Sequence, residues 1–472
     1  MNEGRLKGNT NAVLQNVIKS PTVGTHLKIM AMGNVGAAYE VTKDVVRALS
    51  WYERALEEAN ASPDLTYPDM FTAQASRMHL MVHVVRAKLS ACVWANAEEE
   101  FEDLWMRVTQ MQMTEGAPFV FTPFDSLLHA ISPGDRKALA VHFSTKYTIE
   151  GVEESRDFAA PLEAKPLARL NVGYLSYDYA NHPTTHLMEG LFASRDREST
   201  KVVAFGYGRD DGSAFRQRVI DSVDKFVDLS AASFEESAAQ IRDEQIHIVM
   251  DAQGHTRGGR MRIVAARPAP VVVNYLVYPG TSGAPFVDYV IVDKYVVPPA
   301  ELAAAFTEKL VVLPACYQVN YYDQLFRSSE TLSRRADLWE LDGHEGQDDT
   351  LGGFVFVNFN KIDKLEASVF STWMAILRRV PRSSLLLLDP AVPVPGDDAA
   401  ESVTSREVKR NLWREAHAQG LARTRIRFVP RQVKFGNCER IVVLTICACS
   451  GSQNLSTCSG IASGDFSSTR LL

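Results

Sequence analysis

Two hydrophobic rhythms divide the chain. Through roughly the first 150 residues the apolar positions carry helical spacing and no strand-like run appears. Near residue 168 the rhythm changes to short β-branched runs. Leu170–Leu175, Val202–Phe205, Ile246–Met250, Val271–Leu276, Tyr289–Val292 and Leu310–Leu313 each read as strands. Helical stretches at 213–222 and 232–242 lie between some of them. Short apolar strands alternating with helices predict a parallel sheet covered on both faces. A polar, Gly/Asp-rich stretch at 326–352 then reads as a linker or insertion. A second series follows: strands at 354–357, 385–388 and 425–429, helices at 366–379 and 404–419. The expected organisation is therefore two consecutive Rossmann-like units, at 168–325 and 353–435, the second one short.

The helical N-terminal part is most legible at Asn34–Tyr39 and Ala48–Leu56. Small residues at Gly36, Ala48 and Ala55 alternate with Tyr39 and Tyr52. Small positions admit a neighbour's bulky side chains, which is how a helix hairpin packs. The spacing is like that of a tetratricopeptide repeat of about 34 residues, and about three such units are needed to bury their faces. Residues 12–30 and 66–95 read as degenerate neighbours, or the helices cap the next domain. Residues 1–100 are thus expected to form a tetratricopeptide-like region and 101–167 a helical linker.

Composition narrows the function classes. The chain has 472 residues, 46% hydrophobic and 23% charged, an ordinary globular balance that excludes a disordered, collagen-like or coiled-coil chain. Fifty Lys+Arg against 57 Asp+Glu leave a net charge of −7, so nothing in the charge calls for nucleic acid or an anionic membrane. No basic start followed by an apolar core, and no long apolar run, suggests a leader or a membrane span. Six cysteines in this length do not make a disulfide framework. Cys92 and Cys316 stand alone in apolar contexts and are expected as buried thiols, in a reducing compartment, cytoplasm or nucleus. Cys438, Cys447, Cys449 and Cys458 lack the paired spacing of a structural zinc site, and no metal is expected.

Candidate chemistry gathers in the turns after strands. Ser176 to His186 reads Ser-Tyr-Asp-Tyr-Ala-Asn-His-Pro-Thr-Thr-His, ahead of an expected helix. Ligands of open α/β sheets bind at the carboxyl ends of strands, and a helix start offers N–H groups to an anion. Pro183 fixes the turn, so His182 is aimed, with Thr184 beside it. The alternative is an Asn-His-Pro turn that only caps a helix. Asp251–Arg260 brings glycines and two arginines after its strand, and Tyr278–Gly283, with Gly280 and Thr281, can present donors to a sugar or phosphate. Asn358–Lys364 follows the first strand of the second series. A lysine there would neutralise a diphosphate, the bland alternative being a solvated loop lysine. No Asp-x-Asp element, no Gly-x-x-x-x-Gly-Lys loop and no Gly-x-Ser-x-Gly elbow occurs. These absences speak against a metal-dependent single-domain nucleotide-sugar transferase, a P-loop NTPase and an α/β-hydrolase.

Together these segments resemble the protein O-linked N-acetylglucosamine transferase family, including its SPINDLY-like branch. The resemblance rests on Val172–Ser176, Asn181–Thr184 with His186–Met188, Asp210–Gly212 with Phe215-Arg216, Arg267–Pro270, Tyr278–Gly283 to Asp288-Tyr289, then Asn358–Asn360 and Arg378–Pro381. It implies an α/β fold with a GT-B-like pair of Rossmann-like domains behind tetratricopeptide repeats. It also implies inverting, metal-independent transfer of a sugar from a UDP- or GDP-linked donor to Ser/Thr hydroxyls of proteins. UDP-N-acetylglucosamine is the expected donor, and GDP-fucose the alternative. No cofactor is implied, and the partners are protein acceptors recruited by the helical repeats. His182 matches the family's histidine facing donor sugar and acceptor, and Lys364 the lysine on the donor diphosphate. Lys361 is second choice for that lysine, and His247 and His255 are candidates to line the sugar pocket.

The resemblance fades after Val429–Phe435. The expectation is that about half of the second unit is missing and that residues 436–472 form an atypical Cys/Ser-rich tail, from a frameshift or a mis-spliced exon. A catalytically silent, repeat-containing interaction protein is the rival reading.

Overall fold

The structure is a computed structural model that describes residues 13–62, 73–112, 119–148, 169–297, 303–320, 354–358, 360–390 and 403–429. The expected linker at 326–352 and the tail at 436–472, with its four cysteines, lie outside the described residues. The chain divides into two compact units. One holds the described residues up to Phe121 and those from Phe354 onward; the other holds those between Thr122 and Asn320.

After a helical stretch at 13–19, the first unit holds helices α1 (Thr25–Val41), α2 (Val45–Ala61), α3 (Ala73–Ser90) and α4 (Ala97–Met111). The small-against-large rule is explicit at Gly36. A Cβ there would lie 2.6 Å from the Tyr52 ring, so the glycine makes room for the tyrosine. Tyr52 is buried, its ring stacks on His83 at 4.6 Å, and its hydroxyl donates to Glu40 Oε2 at 2.8 Å. Arg86 pairs with Glu40 Oε1 at 2.7 Å, so one tyrosine and one carboxylate key three helices together. Burial by itself would raise the Glu40 carboxyl. The hydrogen bond from His83, the Arg86 charge and the Tyr52 hydroxyl outweigh burial and hold it at about 2.

The second unit carries seven parallel strands: β1 (Leu170–Ser176), β2 (Thr200–Gly206), β3 (Lys225–Asp228), β4 (Ile248–Asp251), β5 (Val271–Asn274), β6 (Tyr289–Asp293) and β7 (Lys309–Leu313). Their order is β3-β2-β1-β4-β5-β6-β7, with Val172 of β1 opposite Val202 on one side and Ile248 on the other. Alternate residues feed two cores. Val203 and Phe205 face one, Val202 and Ala204 the other, as a sheet covered on both faces requires. Helix α5 (Pro133–Ser144) precedes the sheet, while α6 (Pro183–Ala193), α7 (Ala214–Ser222) and α8 (Phe234–Asp243) connect its strands. Ser213 caps α7, and Ser233 with Glu236 forms a reciprocal capping box at α8.

Strand β3 escapes the sequence pattern because Lys-Phe-Val-Asp is short, charged at both ends and at the sheet edge. Strand β5 stops before the expected Leu276, since Leu276 turns to φ 79° and leaves the ladder. Cys92 is buried as expected, but Cys316 is exposed. In its loop it is the neighbouring Tyr317 that turns inward, its carbonyl accepting from the Tyr275 hydroxyl.

The second sheet belongs to the first unit. Strands β8 (Val355–Asn358), β9 (Ser384–Leu388) and β10 (Ile426–Val429) run parallel in the order β10-β9-β8, with helices α9 (Ala367–Arg379) and α10 (Val403–Ala418). Its core takes in Cys92 and Trp94, which pack with Phe370, Met374, Leu412 and Phe428. The contact is also polar: Asn411 donates to the Ala91 carbonyl at 2.9 Å, and Thr404 to Asp44, the cap of α2, at 2.9 Å. Among the described residues no helix is long and apolar enough to cross a membrane.

Two expectations follow for the helical region. Gly36→Ala would gain about 1 kcal/mol of helix propensity on an exposed face. Here overpacking against Tyr52 reverses the sign, for a net loss of about 1–2 kcal/mol, measurable by native-state hydrogen exchange of the α1 and α2 amides. Glu40→Gln should lower the same local stability at neutral pH. The folded carboxyl lies below its ordinary 4.5, so its contribution is complete above that pH and fades as pH falls toward about 2. The two proteins should converge there.

Candidate functional site

The strand order reverses its direction of growth between β1 and β4, and the loops leaving these two strands meet at the carboxyl edge, where such sheets place their ligands. His182 ends the first loop as the N-cap of α6, in extended conformation, with Pro183 at the first helical position. Its side chain is 47% exposed. Nδ1 faces inward, 3.3 Å from Thr184 N, 3.2 Å from Thr184 Oγ1 and 3.4 Å from Asp178 Oδ2.

The loop behind the histidine is closely tied. The Asp178 carbonyl accepts from the Thr185 hydroxyl, and Asp178 N donates to Ser176 Oγ at 3.0 Å. Asn181 N donates to Asp211 Oδ2 at 2.8 Å, so the Asp-Asp-Gly turn after β2 braces it from outside. Arg216 donates to the Tyr179 carbonyl at 3.2 Å and to Asp228 at 2.9 Å. Gly208 is required for proximity alone: any Cβ there would overlap the Tyr177 carbonyl.

Gln253, in the loop after β4, bridges the reversal. Its Oε1 accepts from Tyr177 N at 3.2 Å and Ser176 Oγ at 3.4 Å. Its Nε2 lies 3.3 Å from Asp178 Oδ2, 2.9 Å from Thr256 Oγ1 and 3.0 Å from the Arg257 carbonyl. Gly258, at φ 83°, lets this loop pass beneath the Tyr177 ring, 2.7 Å from where a Cβ would sit. Neither Asp178 nor Gln253 is marked by motif reasoning. The available signal was a carboxylate four residues before a loop histidine. Asp251, at the end of β4, is buried and its carboxyl is pushed up to about 6 by that burial, against the N–H groups of Gly254 and Gln253.

The other expected residues divide. Thr184 is buried within the network, its hydroxyl donating to Asp178 Oδ2 at 3.1 Å. His255 is engaged internally. Its Nε2 lies 2.7 Å from the Ser282 carbonyl and its ring packs edge-on against Tyr278. Burial holds it down at about 4, with Ser282 and Glu308 opposing and Lys146 adding to the shift, so it is neutral near pH 7. Thr281 is buried and donates to Glu308 Oε2 at 2.7 Å, while the Gly280 carbonyl accepts from Asn274 at 3.1 Å. Both residues are committed to shaping the loop after β5. Glu308 also accepts from Ser282 N at 2.6 Å. His247 stands at the opposite edge. It precedes β4, and its Nδ1 accepts from Asn171 N at 2.9 Å, at the start of β1. It is not brought together with His182, because a residue before a parallel strand lies on the amino-terminal edge.

Lys361 and Lys364 lie in the other unit, at the short 3-10 turn Ile362–Lys364 after β8. Lys361 is exposed and Lys364 half-buried. Burial lowers the Lys364 ammonium, Asp363 opposes this and Lys361 adds to it. Among the described residues Lys364 Nζ has no hydrogen-bond or ion-pair partner. A partly desolvated cation that makes no direct ion pair is suited to an anionic ligand. Among the described residues no cluster of three or more His, Cys, Asp or Glu side chains is arranged to hold a metal.

An open parallel sheet of this order, with a half-exposed histidine at its reversal, is an α/β fold with a candidate ligand site at its carboxyl edge, and comparison gives the family. Residues 91–351 match the glycosyl transferase family 41 model, and the chain belongs to that family. It is 32% identical over 307 residues to the SEC protein of Arabidopsis thaliana, named a probable UDP-N-acetylglucosamine–peptide N-acetylglucosaminyltransferase, covering 63% of this chain and 30% of that protein. The Caenorhabditis elegans UDP-N-acetylglucosamine–peptide N-acetylglucosaminyltransferase is 34% identical over 243 residues, 50% of this chain and 21% of that one. The rice SPINDLY protein is 28% identical over 222 residues, 46% of this chain and 22% of its own. The chain thus spans less than a third of the length of these relatives. The solved O-GlcNAc transferase of Thermobaculum terrenum, in a mutant form, aligns over 92% of this chain and 76% of its own, with TM-score 0.61 at 18% identity. That likeness shows the fold, an α/β pair of parallel sheets of the GT-B class with a helical N-terminal region.

Removing the bridge tests the site's architecture. Gln253→Leu leaves Tyr177 N and the Asp178 carboxylate short of partners in a buried setting, which should cost about 2–3 kcal/mol, read from urea unfolding of the full chain.

Proposed function

We propose that the protein transfers N-acetylglucosamine from UDP-N-acetylglucosamine to Ser or Thr hydroxyls of protein acceptors, inverting the anomeric centre without a metal ion. The observation that carries this reading is His182, half-exposed at the carboxyl edge where the sheet reverses and fixed from behind by a buried polar network. Membership of family 41 and the printed activities of its relatives supply the reaction class.

In this reading His182 takes the acceptor's hydroxyl proton as the hydroxyl oxygen bonds to the anomeric carbon. The bond from that carbon to the diphosphate breaks, and its electron pair leaves with UDP. Lys364 stabilises the charge on the departing diphosphate, with Lys361 as an exposed second cation. Thr184 works behind His182. His255, Gly280 and Thr281 act through the shape of their loops. The donor is a substrate, and no cofactor enters. Protein acceptors dock on the helical region, and the reaction belongs to the cytoplasm or nucleus.

Calorimetric titration with UDP and with GDP separates the readings. UDP binding supports the proposal, GDP binding alone favours a fucose donor, and binding of neither favours a silent interaction protein. His182→Ala should lower transfer on the order of a hundredfold, and near-normal turnover would remove it from the mechanism. Lys364→Ala should weaken UDP binding far more than uridine binding, since its partner is the diphosphate. Equal losses would mark a structural lysine.

A further inference from the structure

We propose that Asp178, acting through Thr184, is a positioning residue that keeps the proton of neutral His182 on Nδ1 and leaves Nε2 as the free base. The inference rests on the reading of His182 as the proton acceptor.

A neutral imidazole carries one proton, and the tautomer decides which nitrogen accepts. Two kinds of neighbour compete at Nδ1. The backbone N–H of Thr184, 3.3 Å away, asks for the lone pair. Were it to win, the proton would sit on Nε2 and the exposed nitrogen would be a donor, unable to take a hydroxyl proton. Asp178 Oδ2, at 3.4 Å, and Thr184 Oγ1, at 3.2 Å, ask for Nδ1–H instead. The hydroxyl's own hydrogen is directed to Asp178 Oδ2 at 3.1 Å, so only its lone pairs remain for the histidine.

Charge breaks the tie. The Asp178 side chain is only 9% exposed, so a ring lone pair aimed at it is poorly screened. A ring N–H pointing the same way is attracted. The carboxylate cannot swing aside, because Gln253 reaches the same oxygen at 3.3 Å and Ser176 and Thr185 hold its backbone. The N–H of Thr184, in the first turn of α6 and without an intrahelical partner, gives up its cap acceptor in the exchange, a cost set against the attraction between the ring N–H and the poorly screened carboxylate. The relay then runs from His182 Nδ1–H to Thr184 Oγ1, and from Thr184 Oγ1–H to Asp178.

The proton balance closes. Nε2 receives the acceptor's hydroxyl proton, and the oxygen keeps the electron pair with which it bonds to the sugar. The ring becomes imidazolium with Nδ1–H unchanged, its charge set against Asp178. It returns to neutral by releasing the Nε2 proton to water. Of the other charged or titratable side chains around this loop, His186 Nε2 lies 3.0 Å from Asn181 Oδ1, Arg218 pairs with Glu189, and Asp211 accepts from Asn181 N.

The test is a two-bond proton–nitrogen correlation spectrum of the full chain labelled with 15N-histidine, recorded at pH 8.5 without donor or acceptor. His182 is identified by the signal lost in His182→Gln. The expected signature is a pyrrole-type Nδ1 and a pyridine-type Nε2. Asp178→Asn should move the population toward Nε2–H, and Thr184→Val, close in shape but without the hydroxyl, should move it the same way. Should Asp178→Asn not fold, Thr184→Val carries the measurement. A wild-type proton on Nε2, or a signature that neither variant changes, overturns the proposal. In turnover, Asp178→Asn should lose on the order of tenfold or more in kcat with KM little changed; unchanged kcat alongside a shifted tautomer also overturns it. The spectrum needs no reaction. Expected tautomers in a chain that transfers no sugar would sink the functional reading and leave the relay standing.

Discussion

The site depends on one constraint, the crossing of a parallel sheet's growth direction between β1 and β4. A strand order of 3-2-1-4 sends the connection after β1 to one side and that after β4 to the other, which opens a crevice at their carboxyl ends. An open crevice leaves backbone groups on both loops without partners. Gln253 resolves this by accepting from the β1 loop and donating to the Asp178 carboxylate and its own loop. A single buried amide thereby sets the distance between two segments that the sequence separates widely.

The neighbouring loops are held by the same kind of chemistry, turned inward. Glu308 collects the donors of Thr281 and Ser282, and His255 closes on the Ser282 carbonyl. Buried polar groups of this kind are costly when left unpaired and rigid when paired. They give the rim its shape while keeping their own reactivity out of solvent. His182 differs because its inner nitrogen is engaged and its outer face is open. Rigidity behind and access in front suit the proton-accepting role proposed for it.

The first unit is held together differently. Its three-stranded sheet shares a core with the turn between α3 and α4, far from it in the chain, through Cys92 and Trp94 against Phe370 and Met374. Polar ties at Asn411 and Thr404 accompany that contact, Asn411 donating to the Ala91 carbonyl just past the end of α3 and Thr404 to the side chain that caps α2.

The strands, most helices and the family resemblance were legible in the sequence because they rest on local rules. Period-two and period-3.6 patterns depend on neighbours, and the Asn-His-Pro-Thr turn carries its own cap and its own proline. Those rules singled out His182 and Lys364 as candidates, but they say little where a residue's surroundings depend on a distant partner. His247 looked chemical by type, yet the sheet direction sends it to the amino-terminal edge beside Asn171. His255 and Thr281 looked available, yet burial commits them to Ser282 and Glu308. Strand β3 has too few apolar residues to announce itself and forms only because β2 offers it a ladder. Asp178 and Gln253 carry no motif at all. The tertiary structure alone makes them central, since only folding brings a carboxylate after β1 within reach of an amide after β4, and only burial makes that meeting decide where a proton sits.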